Sequence, residues 1–300
     1  MINQAKALKL VKIYLYICKR FEEDLKYSCE RFSNNNKQDL TDQEIMTIYL
    51  FVISEEQKFK VKQIHRFSNE YLRSWFPNLK SYSAFSNRLN RLSETFRLLI
   101  APLLSQYQPE DCILTQSLLD SMPIVTCSGK RSGKVASEIT DKTYCSTKNM
   151  WYFGLKLHVL GFRRENKLPF PEQIIVTPAS VCDLNVFKES WSNFDNRCFF
   201  GDKIYYDKDF FLKLYKEMNS TMLTPVKGVK GFTDWDKQYD RAANDLFSKA
   251  VSSVRQPIEA FFNWLIEKTD FQSASKVRST KGLMVHVFGK IAAAFISLIF

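Results

Sequence analysis

Residues 1–106 place apolar and polar side chains at the spacing of α-helices. Thr41-Asp42-Gln43-Glu44 matches a capping box, in which the Thr and Glu side chains bond the first free backbone donors of a helix. Four apolar residues then recur along one helix face: Ile45, Ile48, Tyr49 and Val52. The pattern predicts a helix that begins near Asp42, within an all-helical N-terminal domain of residues 1–106.

Two further helices are predicted between residues 61 and 97. Val61–Leu72 has a helical pattern, Phe76–Leu79 is typical of a turn, and Ser81 is suited to cap the next helix. That helix carries Phe85, Leu89, Leu92 and Phe96 on its apolar side, and Asn87, Arg88, Asn90 and Arg91 on the other. Two interpretations remain open. The pair is a helix-turn-helix that reads DNA through Asn87, Arg88 and Arg91, or the polar side is the solvated face of an ordinary helical bundle.

From Gln108 onward the pattern changes to short β-rich runs. Met150–Phe162 alternates apolar and polar residues, which predicts a half-buried strand. The other predicted elements are strands at Cys112–Asp120, Pro171–Thr177, Arg197–Asp202 and Thr221–Val226, and a helix at Asp183–Trp191. The resulting order βββαβαβα predicts a mixed five-stranded sheet flanked by helices, in a second domain of residues 107–300 that ends in C-terminal helices.

The segment Ser128–Lys148 is polar and basic and is predicted to be a mobile loop. It follows Asp120 closely in the chain and carries Lys130 and Arg131. Either it clamps DNA beside the acidic residue, or it is a solvated insertion. The pattern leaves both interpretations open.

Composition and charge favour a polyanionic partner in a reducing compartment. The 300 residues are 45% hydrophobic, enough for a sizeable core. The net charge of +11 suits nucleic acid, since Lys and Arg that neutralise phosphates release counterions, although a merely basic protein is the simpler interpretation. Seven cysteines without paired spacing indicate reduced thiols and a cytoplasmic protein. The apolar stretch Leu283–Phe300 is predicted to be a buried helix, not a membrane span.

Two apolar runs of the β-rich region end in an acid. Asp120 closes the strand predicted from Cys112, and Asp202 closes the strand predicted from Arg197. Because catalytic groups cluster at the carboxyl ends of strands in open α/β sheets, we expect the two carboxylates to lie together. Glu259 would join them from a helix. The sequence therefore predicts a metal site of three carboxylates.

This set of acids suits Mg²⁺ and phosphodiester chemistry. Two divalent ions about 3.5–4 Å apart stabilise the negative charge on both the attacking and the leaving oxygen of a phosphodiester. Each Mg²⁺ needs only one or two carboxylates besides water and phosphate oxygens, and Mn²⁺ is an expected substitute. Zinc is disfavoured, because the three histidines are far apart in the chain and no Cys-x-x-Cys occurs.

Arg255 and Glu259 are four residues apart with Pro257 between them. The proline is expected either in the first turn of a helix or at a kink of a longer one. On a continuous helix the Arg and Glu side chains share one face. Arg255 then holds a substrate phosphate or steers Glu259, or the two form an ordinary salt bridge. His158 is expected to be a hydrogen-bonded strand residue and not a catalytic base, and Asp183 a capping or solvent-facing acid.

These acids and three surrounding motifs resemble the DDE transposases of bacterial insertion sequences, most closely the insertion-sequence 982 family. The motifs are Gly201-Asp202-Lys203-Ile204-Tyr205-Tyr206-Asp207, Val254-Arg255-Gln256-Pro257-Ile258-Glu259 and Lys276-Val277-Arg278-Ser279-Thr280-Lys281-Gly282. The resemblance runs from about Gln108 to the C-terminus. Two positions depart from a related signature, which has Tyr where this chain has Ser252 and Lys where it has Ile266.

The resemblance implies a ribonuclease H-like catalytic domain that cuts and joins double-stranded DNA with Mg²⁺. Asp120, Asp202 and Glu259 would be the catalytic metal ligands. Element ends and target DNA would be the partners, and a homo-oligomer on DNA is implied because two ends must be joined. Candidates for contact with the phosphate backbone are Lys227, Arg255, Lys276, Arg278 and Lys281.

Two other functions remain open. One is a transposase-derived DNA-binding repressor that does not cut, against which the intact acids argue. The other is a ribonuclease H-like nuclease without strand transfer. Joining of cleaved ends to a target would separate a transposase from both.

Overall fold

The structure is a computed structural model that describes residues 2–29, 38–130, 133, 135–146, 148–226 and 233–300. The chain divides into two compact units. The first takes in Met1–Tyr107, Gly133–Glu138 and Leu265–Phe300, and the second Gln108–Ser132 and Ile139–Trp264. The first boundary lies between Tyr107 and Gln108. The C-terminal helices, expected with the sheet, belong to the first unit because they pack on its helices.

The helices, in chain order, are α1 (Gln4–Arg20), α2 (Lys26–Cys29), α3 (Asp42–Glu56), α4 (Val61–Tyr71), α5 (Tyr82–Arg91), α6 (Ser93–Gln106), α7 (Asp183–Val186), α8 (Lys208–Met218), α9 (Asp234–Arg255), α10 (Pro257–Thr269), α11 (Thr280–Met284) and α12 (Lys290–Ile299). π-Helical turns at Phe21–Leu25, Phe187–Trp191 and Val285–Gly289 continue α1, α7 and α11, and Lys203–Tyr205 forms a 3₁₀ turn.

The predicted capping box starts α3. The Thr41 hydroxyl accepts from the backbone N–H of Glu44 at 3.2 Å, and a Glu44 carboxylate oxygen accepts from the backbone N–H of Thr41. Two backbone donors that the helix itself cannot satisfy are thereby paired. The four apolar residues of the predicted face are buried in the core of the first unit, so this prediction is confirmed.

The helices α4 and α5 also form where the sequence predicts them. Ser81 caps α5, and its hydroxyl accepts from the backbone N–H of Ala84. The four predicted apolar residues are buried, although α5 ends at Arg91 and Phe96 belongs to α6. The connection Leu72–Ser81 is longer than the turn of about three or four residues that joins the helices of a helix-turn-helix.

One helical stretch, Thr280–Ile299, is long and apolar enough to cross a membrane, with a mean hydropathy of 1.9. It belongs to the core of the first unit, where Ile291, Ala292 and Phe295 are buried and where α12 packs on α3 and α6. These buried side chains confirm the prediction of a buried helix.

The second unit is built on one mixed sheet. Its strands are β1 (Ile113–Ser128), β2 (Asp141–Cys145), β3 (Met150–Arg163), β4 (Phe170–Pro178), β5 (Cys198–Phe200) and β6 (Thr221–Leu223). The order is β2-β3-β1-β5-β6, with β4 also paired to β3. The β1–β3, β2–β3 and β3–β4 pairs are antiparallel, whereas β1–β5 and β5–β6 are parallel. A mixed sheet flanked by helices is what the pattern predicts.

Two predictions about this sheet are wrong in detail. β1 does not end at Asp120 but continues to Ser128, because its pairing with β3 extends as far as Ser128 opposite Tyr152. The segment Ser128–Lys148, expected to be a loop, contains the sixth strand β2, which pairs with the start of β3 from Cys145 opposite Met150 to Asp141 opposite Gly154.

One face of the sheet is covered by α7, its π-helical continuation and α8. Leu119 and Phe199 of adjacent strands pack there with Phe187, Trp191 and Tyr205, all fully buried. Phe187 and Phe199 meet edge to face, with ring centroids 5.0 Å apart. This core fixes β1 and β5 side by side, and those two strands carry the candidate acids.

Candidate functional site

Asp120 and Asp202 lie at the same level of two adjacent parallel strands. Leu118 of β1 is the register partner of Phe200, the last residue of β5. Asp120 and Asp202 each follow this pair by two residues, so both leave the parallel pair at the same edge. Asp120 is thus inside β1, whereas the parallel strand β5 has already ended at Phe200. The sequence predicts this proximity correctly, although one of its premises, that both strands end at the acids, is wrong.

Asp202 is held at the start of the 3₁₀ turn Lys203–Tyr205. Its Oδ1 accepts from the backbone N–H of Lys203 at 2.6 Å, which caps the turn, and the side chain is exposed. Asp120 is less accessible, with 23% of its side chain exposed, and its Oδ1 accepts from the backbone N–H of Ser121 at 2.8 Å. Each acid therefore has one oxygen engaged by local backbone.

Arg255 and Glu259 reach the site from two helices that follow each other almost directly. α9 ends at Arg255, Gln256 is the single residue between, and α10 begins at Pro257. The proline occupies the first position of α10, where a missing backbone donor costs nothing. Glu259 lies in the first turn of that helix. Of the two expected positions of the proline, the structure adopts the one in a first helical turn.

The Arg255 guanidinium bridges two of the three candidate acids. Its Nη1 donates to Asp120 Oδ2 at 2.8 Å, and its Nη2 donates to Glu259 Oε1. Only 13% of the Arg255 side chain is exposed, against 53% for Glu259. The pair with Glu259 is thus the expected i, i+4 salt bridge, and the contact with Asp120 is one that the sequence does not predict.

Burial dominates the electrostatics of this cluster. It raises the pKa of Asp120 to about 6, and the negative charges of Asp202 and Asp183 add to the rise, although Arg255 opposes it. Burial by itself lowers the pKa of Arg255, but the carboxylates of Asp120, Glu259 and Asp202 raise it overall. Asp120 therefore lies in a field where added positive charge is stabilising.

The three acids do not converge into one coordination sphere. Within the described ranges, no group of three or more His, Cys, Asp or Glu side chains is placed to hold a metal ion together. Arg255 lies between Asp120 and Glu259 and occupies an oxygen of each. Asp120 and Asp202, at one level of adjacent strands, are the hard-oxygen donors that could hold a divalent cation, whereas Glu259 is held by Arg255.

A buried ion pair lies on the other face of the sheet from Asp120. Lys156 Nζ donates to Asp183 Oδ1 at 2.9 Å, and His158 Nε2 lies 2.8 Å from the Thr177 hydroxyl. Asp183, expected to be a cap or a solvent-facing acid, is instead buried at the start of α7. The alternation of β3, which puts Lys156 and His158 on one face, is the sequence signal that points to this pair. His158 is hydrogen-bonded in the strand, as predicted.

The polar side of α5 is divided between contact with solvent and contact within the first unit. Asn87 and Arg91 are exposed. Arg88 is not available in the same way, because its guanidinium donates to the Asp42 carboxylate, the Leu40 carbonyl and the Gln38 side chain. Arg88 therefore holds the segment before α3. Of the two arginines predicted to contact DNA, Arg91 is the exposed one.

The remaining candidates for DNA contact are basic residues outside the acid cluster. Lys130 is exposed in the second unit, and Lys276, Arg278 and Lys281 are exposed in the first. Arg131 and Lys227 lie outside the described residues. The structure thus brings together Asp120, Asp202, Arg255 and Glu259, and the other predicted residues that it describes lie outside this cluster.

Comparison with known proteins gives no relative for this chain: no protein-family model, no curated protein and no solved structure matches it.

Proposed function

We propose that the chain is a metal-dependent DNA transposase that binds the terminal inverted repeats of an insertion sequence, cleaves there and joins the freed 3′ ends to target DNA. One observation carries the proposal. Asp120 and Asp202 lie at one level of two adjacent parallel strands, and Glu259 is linked to Asp120 through Arg255. Carboxylates brought together in this way supply the hard oxygen ligands that two-metal phosphodiester chemistry uses.

The sheet supports a ribonuclease H-like fold for the second unit. Apart from β2, its elements follow the order βββαβαβα. β1 is the central strand, antiparallel to β3 and parallel to β5, and it carries the first acid. β2 is an addition at one end of β3.

The donor set fits Mg²⁺ better than a softer metal. Asp120 and Asp202 would hold the ions, with Glu259 as a third ligand, and bound divalent ions would activate water and stabilise charge on the phosphodiester oxygens. Asp120 is fixed by the β1–β3 ladder and Asp202 by its turn. Before a metal binds, Arg255 pairs with Asp120 and Glu259, and once displaced it would be a donor for a substrate phosphate.

The charge of the chain supports DNA as the partner, and joining two ends requires two active sites in one complex, hence a homo-oligomer on DNA. Such a protein would act in the cytoplasm on the chromosome or a plasmid. Exposed Asn87 and Arg91 of α5 would contribute to recognition of the repeats.

The test uses purified protein, Mg²⁺ and a labelled duplex that carries the DNA flanking its own gene. Wild type should cut at the flanks and join the ends to a second duplex, whereas Asp120→Asn and Glu259→Gln should bind but not cut. Asp209→Asn, an exposed acid in the first turn of α8, is the matched control and should keep full activity. EDTA should abolish cleavage, and Mg²⁺ or Mn²⁺ should restore it.

The outcomes separate the candidate functions. Cleavage without joining would favour a nuclease, and tight binding without cleavage by any of the proteins would favour a repressor. Cleavage that persists in EDTA, or in Asp120→Asn, would exclude this site as the metal centre.

A further inference from the structure

A basic cavity of about 540 Å³ lies within the first unit. It is enclosed by α3, α4, α5 and the segment from Asp270 to Lys290. Its volume is in the range of small-molecule binding sites, about 300–1,000 Å³. None of the residues that form the acid cluster lines it, so it is a separate feature of the molecule.

The rim of the cavity is cationic. Lys60, Lys62, Lys276 and Arg278 line it and are exposed. Within the described part of the chain, none of the four forms an ion pair with a carboxylate, and Arg278 donates only to the carbonyl oxygens of Ser275 and Val277. Many other cations of the first unit, such as Lys6 and Lys9 of α1, are paired. Four cations around one opening favour an anion there.

A buried lysine adds a cation at the floor. Lys290 lines the cavity and is 2% exposed, and its ammonium donates to the backbone carbonyl of Asp270 at 2.9 Å. Burial lowers the pKa of Lys290 to about 8, and the negative charge of Asp270, which also lines the cavity, opposes that effect. An ammonium has three donors, and lysine is almost never fully buried without an anionic partner. The carbonyl and the charge of Asp270 offset only part of the cost of desolvation, so a phosphate that entered the cavity would gain a favourable interaction.

Aromatic rings line the same space. Phe59 lies under the Lys290 ammonium, at 5.8 Å from ring centroid to Nζ, and Tyr82 stands partly exposed beside the rim. Asn90 adds an amide to the lining. Cations, a flat aromatic surface and an amide together suit a ligand that carries both a phosphate and a base.

We propose that this cavity holds one unpaired nucleotide of a DNA strand, with its phosphate between Lys276, Arg278 and the other rim cations and its base against Tyr82 and Phe59. A base stacked inside a duplex cannot reach the floor, so the nucleotide must come from a single-stranded or opened stretch. The inference rests on the proposed function for the identity of the ligand as DNA.

The test measures binding of a fluorescent single-stranded 12-mer by anisotropy, in EDTA, across a salt series. Lys276→Ala with Arg278→Ala should weaken binding at least tenfold and reduce the slope of log K against log salt by about 1.4, since each lost phosphate contact on a single strand removes about 0.7. Lys12→Ala with Lys19→Ala removes the same charge from the exposed side of α1 and is the matched control. It should change affinity less than threefold.

A second arm asks whether a base enters. Tyr82→Ala should weaken binding of the intact oligonucleotide several-fold but leave binding of a fully abasic strand unchanged. The proposal is overturned if the rim variant and the α1 control lose the same affinity. It is also overturned if Tyr82→Ala weakens binding of the intact strand and of the abasic strand equally. Because the assay needs no cleavage, its result stands apart from whether the protein cuts DNA.

Discussion

Arg255 donates to Asp120 on the central strand and to Glu259 on the next helix, so one guanidinium pairs with two acids that lie 139 positions apart in the chain. The three side chains differ in accessibility, and the arginine is the least exposed of them. The contact between Arg255 and Asp120 links the end of α9 to the sheet's central strand.

Removing the cation of the Arg255–Asp120 pair should destabilise the metal-free protein. Arg255→Gln leaves a largely buried carboxylate, whose pKa burial already raises, without its cation, at a cost of about 1–3 kcal/mol. Asp120→Asn leaves the guanidinium with Glu259 as its anion and should cost less. The double variant should lose less than the sum, with a coupling energy of about 0.5–3 kcal/mol. Urea unfolding in EDTA measures all four free energies.

The ion pair of Lys249 with Asp245 on α9 is the control for this cycle, since both side chains are well exposed. Its coupling energy should be about 0.3–0.5 kcal/mol. A coupling between Arg255 and Asp120 no larger than this would show that the contact is only a surface pair.

The two arginines of α5 should behave differently when changed to alanine. Arg88→Ala removes a cation that pairs with the buried Asp42 carboxylate and should lower the free energy of unfolding by about 3 kcal/mol. Arg91→Ala should leave stability within about 0.5 kcal/mol, because exposed surface changes are nearly neutral. It should instead weaken binding to the element ends. If Arg91→Ala binds the element ends as tightly as wild type, the polar side of α5 is the solvated face of an ordinary helical bundle.

Gly154 allows β3 to lie close to β1. A Cβ at this position would collide with the carbonyl oxygen of Ile124, whereas at Gly161 on the same strand it would meet the Phe170 carbonyl oxygen at 3.3 Å. Gly154→Ala should therefore cost about 1–3 kcal/mol or more, and Gly161→Ala clearly less. The difference in urea midpoints between the two variants checks this, and equal midpoints would contradict the close approach.

His158 should make stability depend on pH. Burial lowers its pKa from 6.5 to about 4, with Lys156 adding to the effect and Asp183 opposing it. Between these values the unfolded chain binds a proton that the folded protein does not, so stability is fully present above pH 6.5 and falls as the pH drops. The loss from this residue between pH 7.5 and 5 should be about 2 kcal/mol. His158→Gln should remove that part of the slope, and an unchanged slope would exclude His158 as its source.

The sequence predicts the local elements well because their signals are local. Thr41 and Ser81 cap helices where expected, and β3 forms over its alternating run. The end of β1 could not be predicted, since the residues after Asp120 are held in a strand by their partners on β3. β2 was missed for the same reason. A polar strand acquires its conformation from a neighbour that the sequence of the strand alone does not specify.

The sequence points to the acids of the candidate site because each follows an apolar run or stands near a proline. It does not point to the contact between Arg255 and Asp120, because these residues are 135 positions apart and their contact depends on how α9 approaches the sheet. The roles of Arg88 and Asp183 were missed in the same way. A charge that looks solvated in the sequence is buried when a distant partner of opposite sign packs against it.

The position of Asp120 in the interior of β1 has a consequence for insertions and deletions. Successive residues of a strand face opposite sides of a sheet, so one residue added between Ser117 and Asp120 would turn the carboxylate toward the face that carries Leu119. It would put an apolar side chain level with Asp202. A change of chain length in this short stretch should therefore abolish the pairing of Asp120 with Arg255 and its position beside Asp202, even though the strand itself could still form.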